Sequence, residues 1–256
     1  MVKVFRYSVC AALIVCLCLA LAVPVLADPA EMLLAKITGT NVNVRAEPSR
    51  TGRLTGRFTG GEHAVVLEER SGADPFPWSR VIAFASGGTL VEGWVYGQYV
   101  EPLPQDDWSN SAEGDPGERF SRFFDKTLER IGDTPEEAAA RFGAPAARED
   151  TRLPGRHDPA YMVDYFRLEY PAFELLYFKT KDSYGLIGVK IVEGEAVIGE
   201  GIRLGADAAS VVRELGVPLY QKGSAFAWTD EPGYGVLTLT FAEGRVLNID
   251  LDVELD

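Results

Sequence analysis

The sequence predicts two dissimilar units behind an N-terminal leader: a small all-β barrel, then an α+β unit built twice. Three observations predict this. An apolar run near the start ends in a small-residue site. Short alternating strands punctuated by Gly and Pro fill the next stretch. A helix signature then recurs at an offset of 73 residues, at Thr134 and Asp207.

The leader comes first. Lys3 and Arg6 form a short positive region, an apolar run follows from Val9 to Leu26, and Val25-Leu26-Ala27 resembles the small-x-small site read by signal peptidase. The expectation is a cleaved signal peptide over 1–27. The alternative is a retained single anchor, because the run reaches the length that just spans a bilayer. All three cysteines, Cys10, Cys16 and Cys18, lie inside it. None follows a small residue, as a lipidated cysteine would. A mature chain from Asp28 therefore has no disulfide, no thiolate nucleophile and no cysteine-type zinc site.

Composition narrows the partners. The formal charge is −13, and removing Lys3 and Arg6 leaves −15. Nucleic acid binding needs a basic footprint, so nucleic acid is not an expected partner. No second long apolar segment follows, so no integral membrane segment is expected after the leader. The expected location is periplasmic or secreted.

The barrel is placed at 35–104. Asn41-Val42-Asn43-Val44-Arg45 alternates polar and apolar, as a half-buried strand does. Ala64 to Glu68, Trp78 to Ile82 and Gly93 to Tyr96 read as further strands. Gly72 to Pro77 and Phe84 to Leu90 read as long loops. Residues 105–117, QDDWSNSAEGDPG, are polar and turn-rich, as a linker is.

The α+β unit is placed at 118–256, with copies at about 118–195 and 196–256. Phe120, Phe123, Phe124, Leu128 and Ile131 recur at spacings of three or four, which predicts a leading helix. Thr134 with Glu137 reads as a capping box, Pro135 fits the first helical position, and Gly143 ends that helix. Asp207 and Gly216 bracket the second copy in the same way. The predicted strands are Met162–Tyr170, Glu174–Thr180 and Gly185–Val192, then Ala225–Thr229, Gly235–Phe241 and Val246–Leu251. Gly244 supplies a hairpin turn. Thr151 to Pro159 reads as an extra loop in the first copy.

The run NVNVRAEPS, VVLEE, WSRV and EGWVYGQYV resembles, in order and spacing, the bacterial SH3 domain. That resemblance implies a barrel of five to seven strands and a short 3₁₀ turn from Tyr96 to Tyr99. It also implies a peptide-binding groove, for which Tyr96, Tyr99, Trp78 and Asn43 are the candidates; Trp94 is assigned to the core. The second half resembles, in its repeated helix-plus-sheet pattern, the β-lactamase inhibitor proteins and the small outer-membrane assembly lipoproteins.

No catalytic or metal site is assigned, and no cofactor. The two histidines, His63 and His157, are far apart in sequence, and no G-x-S-x-G elbow or phosphate loop occurs. Cell-wall peptidases that carry bacterial SH3 domains use Cys-His or zinc chemistry, which cannot be assembled here. Asp106-Asp107 and the pair Asp250 and Asp252 read as solvated faces. The expected function is non-enzymatic: an exported binding protein whose barrel docks on peptide of the cell wall or on an envelope protein. The alternative is a protein-interaction or inhibitor module in the repeat half, with its aromatics dividing between the two sheet faces. A carboxylate-dependent hydrolase is the lesser alternative.

Overall fold

A computed structural model of the chain describes residues 32–104, 117–155, 159–193, 198, 202–230 and 234–253. The leader, the linker up to residue 116 and His157 lie outside the described residues.

The first sheet contains seven strands: β1 (Leu33–Ile37), β2 (Val42–Arg45), β3 (Leu54–Phe58), β4 (His63–Arg70), β5 (Trp78–Ala85), β6 (Thr89–Tyr96) and β7 (Val100–Pro102). Their order is β3-β2-β6-β5-β4-β1-β7. The inward positions, among them Ile37, Val44, Phe58, Val66, Val81 and Val95, form one interior cluster, as alternation in β2 predicts. A 3₁₀ turn, Gly97–Tyr99, stands between β6 and β7.

Two readings of this region need correction. The long loop expected over Phe84 to Leu90 is a tight hairpin, with Phe84 opposite Leu90 and Gly87 and Gly88 at positive φ in the turn. Both side chains pack against the second unit's core, so their apolar character serves a neighbour rather than the barrel interior. Strands β1 and β3 were also not anticipated. Leu33-Leu34-Ala35 is apolar on both faces, and β3 carries Gly56 and two exposed polar residues, so neither alternates.

The second sheet has eight strands: β8 (Ala147–Pro154), β9 (Met162–Glu169), β10 (Phe173–Lys179), β11 (Tyr184–Ile191), β12 (Tyr220–Lys222), β13 (Ala225–Thr229), β14 (Gly235–Ala242) and β15 (Arg245–Val253). Its order is β12-β13-β14-β15-β11-β10-β9-β8. Two meanders thus join through β11 and β15, antiparallel from Gly188↔Asp252 to Ile191↔Ile249. Three helices accompany the sheet: α1 (Gly117–Ile131), α2 (Pro135–Phe142) and α3 (Ala208–Leu215). Among the described residues, two helices precede the first meander and one precedes the second, where two per copy were expected.

The helix ends follow their local chemistry. The Thr134 hydroxyl accepts from the Glu137 N–H at 3.1 Å, and the Asp207 carboxylate accepts from the Ser210 N–H at 3.0 Å. The Glu137 carboxylate reaches back to the Asp133 N–H at 2.9 Å. Gly143 and Gly216 end their helices with φ of 86° and 89°. In the turn before β15, Glu243 and Gly244 both take positive φ, the pattern of a two-residue hairpin loop.

The first four residues of the loop expected over Thr151 to Pro159, Thr151 to Pro154, belong instead to β8. Every residue of β8 is exposed, and it pairs only with β9. A strand solvated on both faces has no apolar alternation to reveal it; backbone pairing holds it.

The two units share a core. Met32, Leu34, Val65 and Ile82 from the barrel cluster with residues of the second unit such as Val211, Leu215 and Phe226. Gln221 of β12 is 5% exposed. Its Oε1 accepts from the Leu34 N–H at 2.7 Å, and its Nε2 donates to the Met32 carbonyl at 2.9 Å and the Gly223 carbonyl at 2.8 Å. One amide thereby satisfies two backbone groups of the barrel in a dry contact.

Candidate functional site

Strand pairing brings the barrel's aromatics to one end. Trp78 opens β5, Tyr96 closes β6, and the two are paired residues. Their rings lie 5.4 Å apart between centroids. The 3₁₀ turn then carries Tyr99 beside Tyr96, at 6.5 Å. Gly97 makes this possible: its N–H bonds the Pro77 carbonyl at 2.8 Å, and a Cβ there would lie 2.6 Å from that oxygen. Gly39 does the same beneath Tyr99, where a Cβ would meet the ring at 2.6 Å.

The loop over 71–77 completes the surface. Phe76 stands edge-on to Tyr96 at 5.8 Å and is 47% exposed. The Asp74 carboxylate accepts from Trp78 Nε1 at 3.0 Å through one oxygen and from Arg50 Nε at 2.9 Å through the other. Arg50 also donates to the Tyr96 hydroxyl at 3.2 Å, with its guanidinium 5.0 Å from the ring centroid. That hydrogen bond to Tyr96, with Asp74 beside it, raises the Arg50 pKa. The site is therefore a partly exposed aromatic surface of Phe76, Tyr96 and Tyr99 with one cation at its edge.

The four candidates fall differently. Tyr96 and Tyr99 are half-buried and lie side by side at one end of the barrel. Trp78 is 4% exposed, which corrects its reading as a groove surface. Its ring packs against Tyr96 and its Nε1 donates to Asp74. Asn43 is exposed but is not gathered into the cluster; its Oδ1 accepts from Arg57 Nε at 3.2 Å across β2 and β3. Trp94 is buried, as a core residue should be. Phe76, Asp74 and Arg50 were missed. Phe76 carried a readable signal, since an aromatic between Pro75 and Pro77 in a loop is held outward. Arg50 and Asp74 carried none.

Other expected features can be placed. His63 begins β4 opposite Lys36. Asp250 and Asp252 alternate on β15, and Asn248 bonds Asp250. A recess lined by Asp125, Glu129, Asp133, Glu137 and Arg141 gathers carboxylates. Glu137 there holds the Asp133 N–H, and Arg141 donates to the Glu129 carbonyl, so these groups lock the α1–α2 turn. Among the described residues, no group of three or more His, Cys, Asp or Glu could hold a metal ion, and no helix is long and apolar enough to cross a membrane.

Residues 40–101 match the family of bacterial SH3 domains. The match covers β2 to β7 almost completely, including Tyr96, Tyr99 and the 71–77 loop. No curated protein and no solved structure matches the chain. A bacterial SH3 domain marks a protein-binding or cell-wall-associated module.

Proposed function

We propose that this chain is an exported, non-enzymatic binding protein of the cell envelope. Its barrel docks on extended peptide, with the peptide of the cell wall as the first candidate. The observation that carries the reading is the surface of Phe76, Tyr96 and Tyr99, left partly open at the end of a bacterial SH3 fold. Flat aromatic faces held rigidly from behind suit an extended chain, which offers little apolar area per residue. The apolar leader supports export.

The α+β half reads as two copies of a helix-plus-meander unit, 118–195 and 196–256. Matching caps at Thr134 and Asp207, matching glycine ends and a sheet that divides into two meanders support this. An interaction surface of aromatics on that sheet finds less support. Tyr170, Tyr177 and Phe178 are buried, and Phe166 packs partly against the core.

Isolated cell-wall sacculi test the proposal. The purified protein should sediment with them, and Tyr96→Ala or Tyr99→Ala should return most of it to the supernatant. Wild-type protein that stays in the supernatant, or variants that sediment equally, would end this reading.

A further inference from the structure

The second unit carries a concentration of positive charge that neither the barrel nor the fold requires. Arg119, Arg122, Lys126 and Arg130 fall at i, i+3, i+7 and i+11 along α1, on one side of the helix. Arg213 of α3 faces them across a groove of about 430 Å³. The cations follow about 17 Å of helix at ~1.5 Å per residue. Five cations thus share one groove in a chain whose net charge is −13.

Their local neutralisation is slight. Arg122 pairs with Glu118 at 3.8 Å, with both side chains more than 60% exposed, so the pair contributes little. Arg119 lies 4.4 Å over the Phe84 ring, a contact that leaves its charge in place. Glu214 is the one acid in the lining. Lys126 and Arg130 have no ion-pair partner among the described residues. Like charges set on adjacent turns repel, and an anion that follows the groove relieves that repulsion.

We propose that the α1–α3 groove binds a linear phosphodiester polyanion without nucleobases, because its lining has no exposed aromatic on which a base could stack. Its phosphates would track Arg119, Arg122, Lys126 and Arg130 along α1, with Arg213 on the opposite wall. Four of the five cations are arginines, whose planar forks suit phosphate oxygens. The lining also argues against two other occupants. An amphipathic acidic peptide needs apolar anchors, and an interfacial membrane contact needs exposed apolar side chains. The groove offers only Phe123, which is 4% exposed. This site is separate from the aromatic surface of the barrel and does not depend on its reading.

The test is titration of the purified protein with a soluble poly(glycerol phosphate) oligomer at about 50 mM salt. Saturable binding is expected, weakening as salt rises by about 0.7 log units per log unit of salt for each cation neutralised. The triple variant Lys126→Gln, Arg130→Gln, Arg213→Gln changes only exposed positions. It should bind at least about tenfold more weakly, with a shallower salt slope and an unchanged circular dichroism spectrum. Arg152→Gln with Lys181→Gln, beside a different recess, should bind as wild type. The proposal is overturned by absence of binding, by an undiminished triple variant, or by equal loss in the Arg152/Lys181 control. Equal affinity for poly-glutamate, or binding to phosphatidylglycerol vesicles in place of the soluble polymer, would also overturn it.

Discussion

One end of the barrel and the interior of the eight-stranded sheet unit use aromatic side chains in opposite ways. In the sheet unit, Trp228 and Tyr177 are 1% and 0% exposed, and each polar end finds a backbone carbonyl: Gly216 for the indole N–H and Gly132 for the phenol. Burial raises the Tyr177 pKa, so its hydroxyl stays protonated and donates. In the barrel, Phe76, Tyr96 and Tyr99 rest on one another and on Trp78, with one side left to solvent. The first arrangement stabilises a core. The second leaves ring faces partly open to solvent. Position relative to the strand ends, rather than residue type, separates the two.

The strongest way to break this contrast is Trp228→Ala. It removes a fully buried indole and should cost about 3–5 kcal/mol, read as a lower urea midpoint. Tyr96→Ala should cost under about 1 kcal/mol while reducing sedimentation with sacculi at least about tenfold. If the two substitutions were equally destabilising, the aromatic surface of the barrel would be core after all.

Gln221→Ala probes the join between the regions. It strands the Leu34 N–H and the Met32 carbonyl in a buried contact and should cost about 2–3 kcal/mol. The wild type should unfold in one transition by both far-ultraviolet and tryptophan signals. In the variant the two signals should separate, because the shared core loses its polar clamp. Coincident transitions with an unchanged midpoint would show that the amide adds nothing.

A smaller effect is expected at Gly39. An alanine Cβ would meet the Tyr99 ring and the Val42 side chain. Gly39→Ala should therefore weaken sacculus binding a few-fold and lower the melting temperature, because buried Val42 must also shift. Binding equal to wild type would remove Tyr99 from the surface.

Acid provides the mildest perturbation. Burial pushes the Glu62 carboxyl up, but the Thr59 hydroxyl and the N–H groups of Thr59 and Gly60 outweigh it, so its pKa is lowered. Asp207 is lowered in the same way, with burial opposed by the Ser210 N–H and hydroxyl. A carboxylate with a depressed folded pKa stabilises above its unfolded value, about 4, and loses that contribution as pH falls through the folded one. The urea midpoint should hold from pH 7 to 5 and fall below about pH 4. Glu62→Gln, in the barrel, and Asp207→Asn, which keeps the cap, should each flatten that fall. If only one does, the two regions are not coupled in unfolding.

Legibility followed how locally each feature is determined. The caps at Thr134 and Asp207, the glycine ends and the Glu243-Gly244 turn depend on a few neighbouring residues, and each could be read directly. Strand β2 was legible because one face is buried and the other wet, and β4 and β6 because they carry short apolar or aromatic runs next to glycines. Strand β8 was not, because neither face is buried. Phe84 and Leu90 were misplaced into a loop because their partners lie in the other unit. The aromatic site was half legible: Tyr96 and Tyr99 stand beside a recognisable turn, whereas Arg50 and Asp74 reach it from separate loops.

The sequence by itself therefore determined the order of the two units, the helix boundaries and the resemblance of 40–101 to a bacterial SH3 domain. Tertiary structure alone decided that Trp78 lies beneath the aromatic surface and that Gln221 fastens the barrel to the sheet. It also decided that Arg213 faces the basic side of α1. The reason is physical: periodicity and caps act over a few residues. Whether a side chain ends up as floor, clamp or groove wall depends on which distant strand or helix packs against it.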